Sequence, residues 1–412
     1  MGDSGLLYMF ARRAFRHPDT HLRQIERPPD FPDDDVVYPS AAPFLLFHLA
    51  ALGVIWAGVT VQAVLIGVVL YVVRMIAVTG GYHRYFSHRT FKTSRVGQFA
   101  LAFLCQSSAQ RGVIWWAAKH RAHHKYSDTP LDPHSPGLRG FWFAHVGWIF
   151  SPNTREPDYD LVPDLTKYPE LRWLDRQKYL PAMVLAVGVL LAAGWSALFV
   201  GFFASTVFLY HGTFVINSLA HMTGRQRYIT GDDSRNSWWL ALLTFGEGWH
   251  NNHHYYQSSM RQGFRWYEID VTYYVFKVLA LLGLVWDLKE PPESVVAGER
   301  RLGQLVIDKA ARRIAASVPV EVIVDRARWT WPAHLSRDEL TQMARETRER
   351  IAEWERLHLP HVPTAAELKA MALEMYRDSP SLDEVVERAR IHIVQAVSIR
   401  LLDPVHAGAF AT

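Results

Sequence analysis

Cysteine is almost absent from this chain, which contains one cysteine in 412 residues. A single thiol excludes an internal disulfide, and it excludes the thiolate ligand sets of zinc ribbons and iron–sulfur clusters. A metal in this protein would therefore be held by nitrogen or oxygen atoms. Imidazole suits iron, zinc, copper and nickel, and the chain contains 20 histidines.

Charged side chains are absent from long parts of the sequence. Residues 43–79 are apolar with one arginine among them, and residues 180–220 have no charged side chain. A membrane crossing needs about 20 apolar residues, so each part is long enough for a hairpin of two spanning helices. Buried helices of a soluble protein are the alternative, but soluble cores rarely contain such long uncharged segments. With turns at Val61 and Gly194-Trp195, the expected spans are residues 43–60, 62–79, 180–194 and 196–220.

Basic residues indicate the orientation of these spans. Arg and Lys are frequent before Pro43, between Gly80 and Lys178 and after His221, but the two expected turns have none. By the positive-inside rule, we expect an integral, multi-pass membrane protein whose termini and active site face the cytoplasm. Arg74 lies within the second span, and we expect its side chain to extend to the cytoplasmic end of that span. The net charge of +4 suits anionic lipid headgroups, and we expect no nucleic acid partner.

Three histidine-rich stretches lie beside the apolar parts, at residues 83–88, 120–124 and 250–254. The second and third share the spacing H-x-x-H-H. Residues three or four apart share a helix face, so each triplet should project its side chains together. The first two histidines are five residues apart and cannot both point one way on a straight α-helix, which suits two metal ions or a helix that ends between them. These histidines are His83, His88, His120, His123, His124, His250, His253 and His254.

We interpret the three stretches as one metal site. Zinc usually takes four ligands, so eight histidines exceed what a single tetrahedral ion uses, and two ions that share them are the simpler interpretation. Asn217 and His221 lie four residues apart at the cytoplasmic end of the last expected span, which makes His221 a candidate ninth ligand. Eight unrelated structural histidines are the alternative, which the repeated spacing disfavours.

The other notable histidines fall outside the repeated pattern. His134 and His145 are expected to have structural or substrate-contact roles, and His48 and His211, deeper in the apolar parts, are expected to pack or form hydrogen bonds. Residues 94–119 are apolar but interrupted by polar side chains. A third spanning helix there would separate the histidine-rich stretches across the membrane, so we expect a helix in the interface.

The chain is expected to have three parts. Residues 1–40 are polar and are expected to form a cytoplasmic N-terminal segment, and residues 41–290 form the membrane domain. Charged residues return in residues 291–412. Capping-box patterns begin there at Ser336, Thr364 and Ser381, each followed three residues later by Glu, and they predict a cytoplasmic helical extension of about three helices.

The sequence around the histidines resembles the membrane-bound fatty acid desaturases, specifically their stearoyl-CoA-type Δ9 group. The resemblance covers roughly residues 40–290. It implies an all-α integral membrane protein with four transmembrane helices in two hairpins, under a cytoplasmic helical cap that carries a di-iron site. It rests on segments that are specific in combination, namely residues 87–92, 119–127, 132–134, 141–148, 217–221 and 246–254. The implied ligands of two iron ions are His83, His88, His120, His123, His124, His221, His250, His253 and His254, with Asn217 acting through water.

The resemblance also implies an activity. An enzyme of this kind uses O2 as co-substrate and two external electrons to introduce a cis double bond, at Δ9, into a saturated acyl chain bound in a narrow tunnel. The expected substrate is a fatty acyl-CoA, but Ala118-Lys119 stand where animal members have Arg-Asp, which leaves an acyl-lipid or acyl-carrier-protein substrate open. The extension lacks the His-Pro-Gly-Gly pattern of a fused cytochrome b5. We therefore expect a separate electron donor, namely a ferredoxin, rubredoxin, cytochrome or flavin reductase.

Two other functions fit part of this pattern. A hydroxylase of the same histidine-box superfamily, acting on alkanes or lipids, would leave a hydroxyl group in place of a double bond. A membrane metal transporter or sensor would use the histidines as a binding site, but it would need polar groups along the spanning helices, where the apolar parts have few. Product analysis separates the first alternative from a desaturase, and metal flux without oxygen consumption would identify the second.

Overall fold

The structure is a computed structural model that describes residues 42–151, 158–330 and 362–402. These residues form two compact units. The first comprises the described residues up to 227 together with 233–296, and the second comprises 228–232 with the described residues from 297 onwards. The expected N-terminal segment and the expected capping box at Ser336 lie outside the described residues.

The first unit is helical, as expected for an all-α protein, with one short antiparallel strand pair, β1 Lys92–Thr93 and β2 Val285–Trp286. Its first helices are α1 Ala42–Ala51, α2 Val54–Ala57, α3 Val61–Ile76 with the π-helix Ala77–Ser87 that continues it, α4 Arg95–Gln106 and α5 Val113–Tyr126. Shorter helices follow, namely α6 Pro136–Arg139, α7 Phe141–His145, the 3₁₀ turns Gly147–Phe150 and Tyr159–Leu161, α8 Pro163–Thr166 and α9 Pro169–Arg176. The remaining helices are α10 Leu180–Ser196, the π-helix Ala197–Ala204, α11 Ser205–Ser218, the 3₁₀ turn Leu219–His221, α12 Trp238–Leu243, α13 His250–Tyr255, α14 Val271–Leu281 and α15 Glu293–Ala297.

Two helical segments of the described chain are long and apolar enough to cross a membrane, Val61–Ser87 and Leu180–His221. The segment Ala42–Ala57 is also apolar but shorter. Large apolar side chains on these helices face outwards, as Leu65 and Leu191 do with 61% and 82% of their surface exposed. Exposed apolar surface of this extent marks a lipid or partner contact, so these helices indicate a membrane-associated protein.

Glycines mark the two turns between apolar helices. Gly58 has a φ of +72°, which glycine adopts without the steric cost of a Cβ atom. Thr60 then caps α3, because its hydroxyl accepts the backbone N–H of Ala63 at 3.1 Å. The first turn therefore lies at Gly58–Thr60, and Val61, where we expected the turn, is the first residue of α3. The expected break at Gly194 is present, with φ +76° and ψ −171°.

The expectation that Arg74 reaches the end of its span is wrong. Its side chain is fully buried, and its two Nη atoms donate to the hydroxyl oxygens of Thr206 and Ser205, both at 2.6 Å. The Ser205 and Thr206 hydroxyls donate in turn to backbone carbonyls of their own helix, so their oxygens are oriented to accept from the guanidinium. A neighbouring helix supplies these partners, which the local sequence of α3 could not reveal.

Residues 94–119 are divided between two helices. α4 ends at Gln106 and α5 begins at Val113, and Ala109 and Arg111 between them have φ values of +58° and +72°. At about 1.5 Å per residue, neither helix is long enough to cross a membrane. The helices agree with the expectation against a third spanning segment here. α5 packs against the π-helix Ala77–Ser87, which brings the first two histidine-rich stretches together.

The second unit is a separate helical bundle. Its buried core contains Ile229, Ile314, Leu368 and Ile393. The expected capping box at Thr364 is confirmed, since the Thr364 hydroxyl accepts from the N–H of Glu367 and the Glu367 carboxylate accepts from the N–H of Thr364. The helices are α16 Gln304–Ala316, α17 Val320–Thr330, α18 Ala365–Met375 and α19 Leu382–Leu402.

Candidate metal centre

The first histidine-rich stretch lies on the π-helix that continues α3. In a π-helix the hydrogen bonds run from residue i to i+5, so residues five apart come to lie on one side. The helix also ends at Ser87, and His88 is the residue that follows. The ring centroids of His83 and His88 are consequently 5.0 Å apart, and both rings join one cluster, whereas a straight α-helix would have separated them.

The histidines of the three stretches, together with His221, form two clusters whose ligand nitrogens lie within 4.8 Å of one another. The clusters adjoin, since the ring centroids of His124 and His254, one from each, are 4.3 Å apart. The five-histidine cluster contains His83, His88, His120, His124 and His253. The four-histidine cluster contains His123, His221, His250 and His254.

Each H-x-x-H-H triplet divides between the clusters, and the two divide in opposite ways. The triplet on α5 gives its first and last histidines to the five-histidine cluster and its middle one, His123, to the other. The triplet on α13 gives its middle one, His253, to the five-histidine cluster. Consecutive residues on an α-helix are about 100° apart, so adjacent histidines face different ways. The expectation that each triplet projects together is therefore wrong, although all its members join the same centre.

The Nε2 atoms of the five-histidine cluster converge. Nε2 of His253 lies 2.9 Å from that of His83 and 3.0 Å from that of His124. Nε2 of His120 lies 2.9 Å from those of both His124 and His88. Two nitrogens bound to one ion at about 2.1 Å and a right angle lie about 3.0 Å apart. The spacing in this cluster therefore fits ligands arranged around a single metal ion.

Two carboxylates orient histidines of the four-histidine cluster. His221 Nδ1 lies 2.9 Å from Asp128 Oδ2, and His123 Nδ1 lies 3.0 Å from Asp132 Oδ1. With Nδ1 bonded to a carboxylate, the opposite nitrogen is left to bind a metal, and the ring is fixed in orientation. In agreement, Nε2 of His221 lies 3.1 Å from Nε2 of His250.

A third carboxylate supports the five-histidine cluster. His83 Nδ1 is in contact with Oε2 of Glu247. Oε1 of Glu247 accepts from Arg84 Nη2 at 2.9 Å, and Arg84 Nη1 is 2.9 Å from Asp270 Oδ1. The histidine pattern predicted no role for Asp128, Asp132 or Glu247. The signal that could have indicated them is an acidic residue within a few positions of a histidine triplet, since metal-bound imidazoles commonly donate to carboxylates.

Burial keeps five of the clustered imidazoles neutral. It lowers the pKa of each of these side chains well below the usual value, and neighbouring imidazoles lower it further. A neutral imidazole has a lone pair for a metal, whereas a protonated one does not. The histidines for which this shift is seen are His88, His120, His124, His250 and His253.

The other predicted residues lie around the centre. Asn217, together with His120 and His134, lines a cavity. His134 packs against His123, with ring centroids 4.4 Å apart, and burial lowers its pKa to about 3. It also belongs to a further group with His123 and Asp132 that could hold an ion.

His48, His145 and His211 form a hydrogen-bonded row outside the clusters. Nε2 of His48 lies 3.1 Å from Nε2 of His211, and Nε2 of His145 lies 3.0 Å from Nδ1 of His211. The expectation that His48 and His211 pack or form hydrogen bonds is confirmed.

The two membrane-length segments contribute His83 and His221 to the two adjoining histidine clusters. Together these features define a membrane-associated protein with a metal site. A profile of the fatty acid desaturase family matches residues 59–280. The chain belongs to this family, and its enzyme class is that of the oxidoreductases that desaturate acyl chains.

Several curated relatives share this region. The chain is 40% identical over 237 residues to a palmitoyl-monogalactosyldiacylglycerol delta-7 desaturase of Arabidopsis thaliana, an alignment that covers 57% of this chain and 64% of the relative. It is 40% identical over 243 residues to an sn-1 stearoyl-lipid 9-desaturase of Synechocystis, covering 58% and 75%. It is 39% identical over 218 residues to an acyl-CoA 5-desaturase of Anemone leveillei, covering 52% and 68%.

Proposed function

We propose that this desaturase introduces a cis double bond at Δ9 into a saturated acyl chain, with O2 as co-substrate and two electrons from a separate protein. The observation that carries the proposal is the convergence of histidine Nε2 atoms in two adjoining clusters within a chain of this family. The residues that would hold two iron ions are the nine clustered histidines, with Asn217 acting through water. When bound, iron would allow O2, with the two supplied electrons, to remove two hydrogen atoms from neighbouring methylenes while O2 is reduced to water.

The protein's own residues would position the acyl chain. The cavity beside the centre has apolar walls that include Phe44, Tyr210 and Phe214, and its lining also includes His120 and Asn217. Apolar walls bind methylenes without specific polar contacts. An acyl segment in this cavity would lie against the five-histidine cluster through His120, and fixing that segment selects the carbons that react.

We propose that the acyl chain is carried by a membrane glycerolipid, with acyl-CoA as the second candidate. The names of the Arabidopsis and Synechocystis relatives describe lipid-linked substrates, and that of the Anemone relative describes acyl-CoA. The presence of Ala118-Lys119 before the second histidine-rich stretch also supports a carrier other than CoA. Purified protein supplied with either stearoyl-CoA or a stearoyl glycerolipid in liposomes would separate the two carriers.

We further propose four membrane crossings with the metal centre on the cytoplasmic side. The turns at Gly58 and Gly194 would then lie together on the opposite side. The chain's single cysteine, Cys105, is buried. A cysteine introduced at an exposed position would therefore be the one that a thiol reagent labels. A membrane-impermeant thiol reagent should label Val59→Cys from outside the cell and Arg265→Cys after the cells are opened; the reverse pattern would refute the orientation.

Lipid analysis tests the reaction itself. Cells that express the protein with an active reductase are compared with cells that express His123→Ala, and new double bonds are located by mass spectrometry. We expect cis-9 monoenes of 16 or 18 carbons that are absent with the variant. Hydroxylated lipids in their place would support the hydroxylase alternative, and metal flux without oxygen consumption would support transport.

A further inference from the structure

Carboxylates are distributed unequally between the two clusters. The four-histidine cluster has two, because His123 and His221 donate to Asp132 and Asp128. Among the described residues, the ion pairs of the five-histidine cluster involve one carboxylate, that of Glu247. The Nδ1 atoms of two of its other members, His124 and His253, are buried and have no hydrogen-bond partner among the described residues, and in the four-histidine cluster the same is true of one, that of His250.

The surroundings of these carboxylates further increase the difference in electron donation to the imidazoles of the two clusters. Glu247 accepts from Arg84 Nε at 3.1 Å and from Nη2 at 2.9 Å, and the positive charge of Arg84 draws electron density away from the bond to His83. Asp132 instead accepts from neutral donors, the backbone N–H groups of Asp128 and His134, at 2.8 and 3.1 Å.

Neutral donors also orient the carboxylate of Asp128. Its carboxylate accepts from the Ser135 hydroxyl and from the backbone N–H of Asp233, both at 2.7 Å. Its own backbone has a φ of +56°, a conformation that aspartate and asparagine adopt more readily than other residues with a Cβ atom. The loop is thus built to direct this carboxylate at His221, and asparagine would preserve its geometry.

We propose that the two clusters form electronically unequal metal positions, in which Asp128 and Asp132 make the four-histidine position the one that better stabilises the oxidised ion. A carboxylate that accepts Nδ1–H makes the imidazole a stronger donor through its other nitrogen. Two such imidazoles and two nearby negative charges favour the more highly charged ion at that position. The ion at the five-histidine position therefore has the higher reduction potential of the two and is reduced first. This inference rests on the proposed function for the identity of the metal, and Asp128 and Asp132 are positioning residues in it.

Stepwise reduction of 57Fe-loaded protein, followed by Mössbauer spectroscopy, tests the inference. In the unsubstituted protein, two iron populations should be reduced at different potentials. The population reduced last is expected at the four-histidine cluster. Asp128→Asn and Asp132→Asn should each change its spectrum and raise its reduction potential, so that the difference between the two reduction potentials becomes smaller. Glu247→Gln, the matched control at the other cluster, should change the population reduced first. Simultaneous reduction of both populations, or the same population altered by Asp132→Asn and Glu247→Gln, would overturn the proposal.

Zinc titration of the metal-free protein gives a readout without redox chemistry. Asp128→Asn should weaken one of two Zn²⁺ sites by about 10- to 100-fold and leave the other unchanged, and Glu247→Gln should weaken the other site. Equal weakening of both sites by Asp128→Asn would count against the assignment. If the iron-loaded protein forms no double bond with reductant and substrate, the proposed function fails. The inference about the two metal positions is tested separately, by whether their reduction potentials differ.

Discussion

The ring centroids of His123 and His124 are 5.4 Å apart, yet these consecutive residues belong to different clusters. Helix α5 therefore contributes histidines to both clusters. A substitution at His123 should therefore affect one ion, and a substitution at His124 should affect the other.

His123→Ala and His124→Ala should each lower the metal content of the purified protein by about one ion per chain, because each removes one ligand from one cluster. Mass spectrometry of the bound metal measures this content. His145→Ala is the matched control, since His145 bonds His211 outside both clusters, and it should retain the full content. Retention of both ions by His124→Ala would show that the five-histidine cluster does not need His124 to bind its ion.

The sequence was sufficient to predict which histidines lie together but not to assign them to clusters. The H-x-x-H-H repeat indicated chemistry, because histidines at helical spacing are rare without a common purpose. The assignment depends on features that the pattern does not contain. Adjacent residues face about 100° apart on a helix, and the π-helix that brings His83 and His88 together is not apparent from the residues.

Partners supplied by distant parts of the chain were also beyond the sequence. The apolar lengths predicted the two membrane-length segments and the break at Gly194. The hydroxyls that bind Arg74, however, lie on a helix more than a hundred residues away, and Asp128 is 93 residues from His221. Which polar groups meet across helices follows from packing, and one sequence does not reveal it.

Arg84→Gln should destabilise the protein severely. Arg84 is fully buried, and its guanidinium joins Glu247 to Asp270. Removing one member of a buried ion pair costs about 3–5 kcal/mol, because the remaining charges stay buried. Thermal unfolding in detergent measures the loss.

The control for this substitution is Arg95→Gln, which breaks a pair with Glu170 in which the arginine side chain is 65% exposed. Water replaces that interaction readily, so the unfolding temperature should hardly move. Equal losses from the two variants would mean that burial does not determine the strength of the Arg84 network.

Thr206→Val should destabilise the protein more when Arg74 is present than in an Arg74→Met background. The Thr206 hydroxyl accepts from Arg74 Nη1 at 2.6 Å, and a hydrogen bond to a charged group contributes about 1.5–3 kcal/mol. Without the guanidinium, valine fills the same space and leaves no charge unpaired. The double-mutant cycle measures the difference as a shift in thermal stability, and additive effects would contradict this role for the hydroxyl.

Acidification should destabilise the metal-free protein. In the unfolded chain, histidine side chains have a pKa of about 6.5. In the folded state burial lowers the pKa of five of them, namely His88, His120, His124, His250 and His253. The unfolded state therefore binds more protons as the pH falls below the unfolded pKa, and the free energy of unfolding decreases. The stabilisation is fully present above the unfolded pKa and is lost on the acid side.

Thermal unfolding between pH 8 and pH 5, with a chelator present, measures this dependence. One imidazole contributes at most about 1.4 kcal/mol per pH unit, so His250→Asn, which removes one of the buried imidazoles, should reduce the slope by up to that amount. Burial opposes ionisation of Asp132 and Glu247, but their charged neighbours hold the pKa of each below its usual value. These two carboxylates therefore stay ionised in this range, and the histidines should dominate the slope. A metal-free protein that becomes more stable on acidification would show that these imidazoles are already protonated in the folded state. Such imidazoles could not serve as metal ligands at neutral pH.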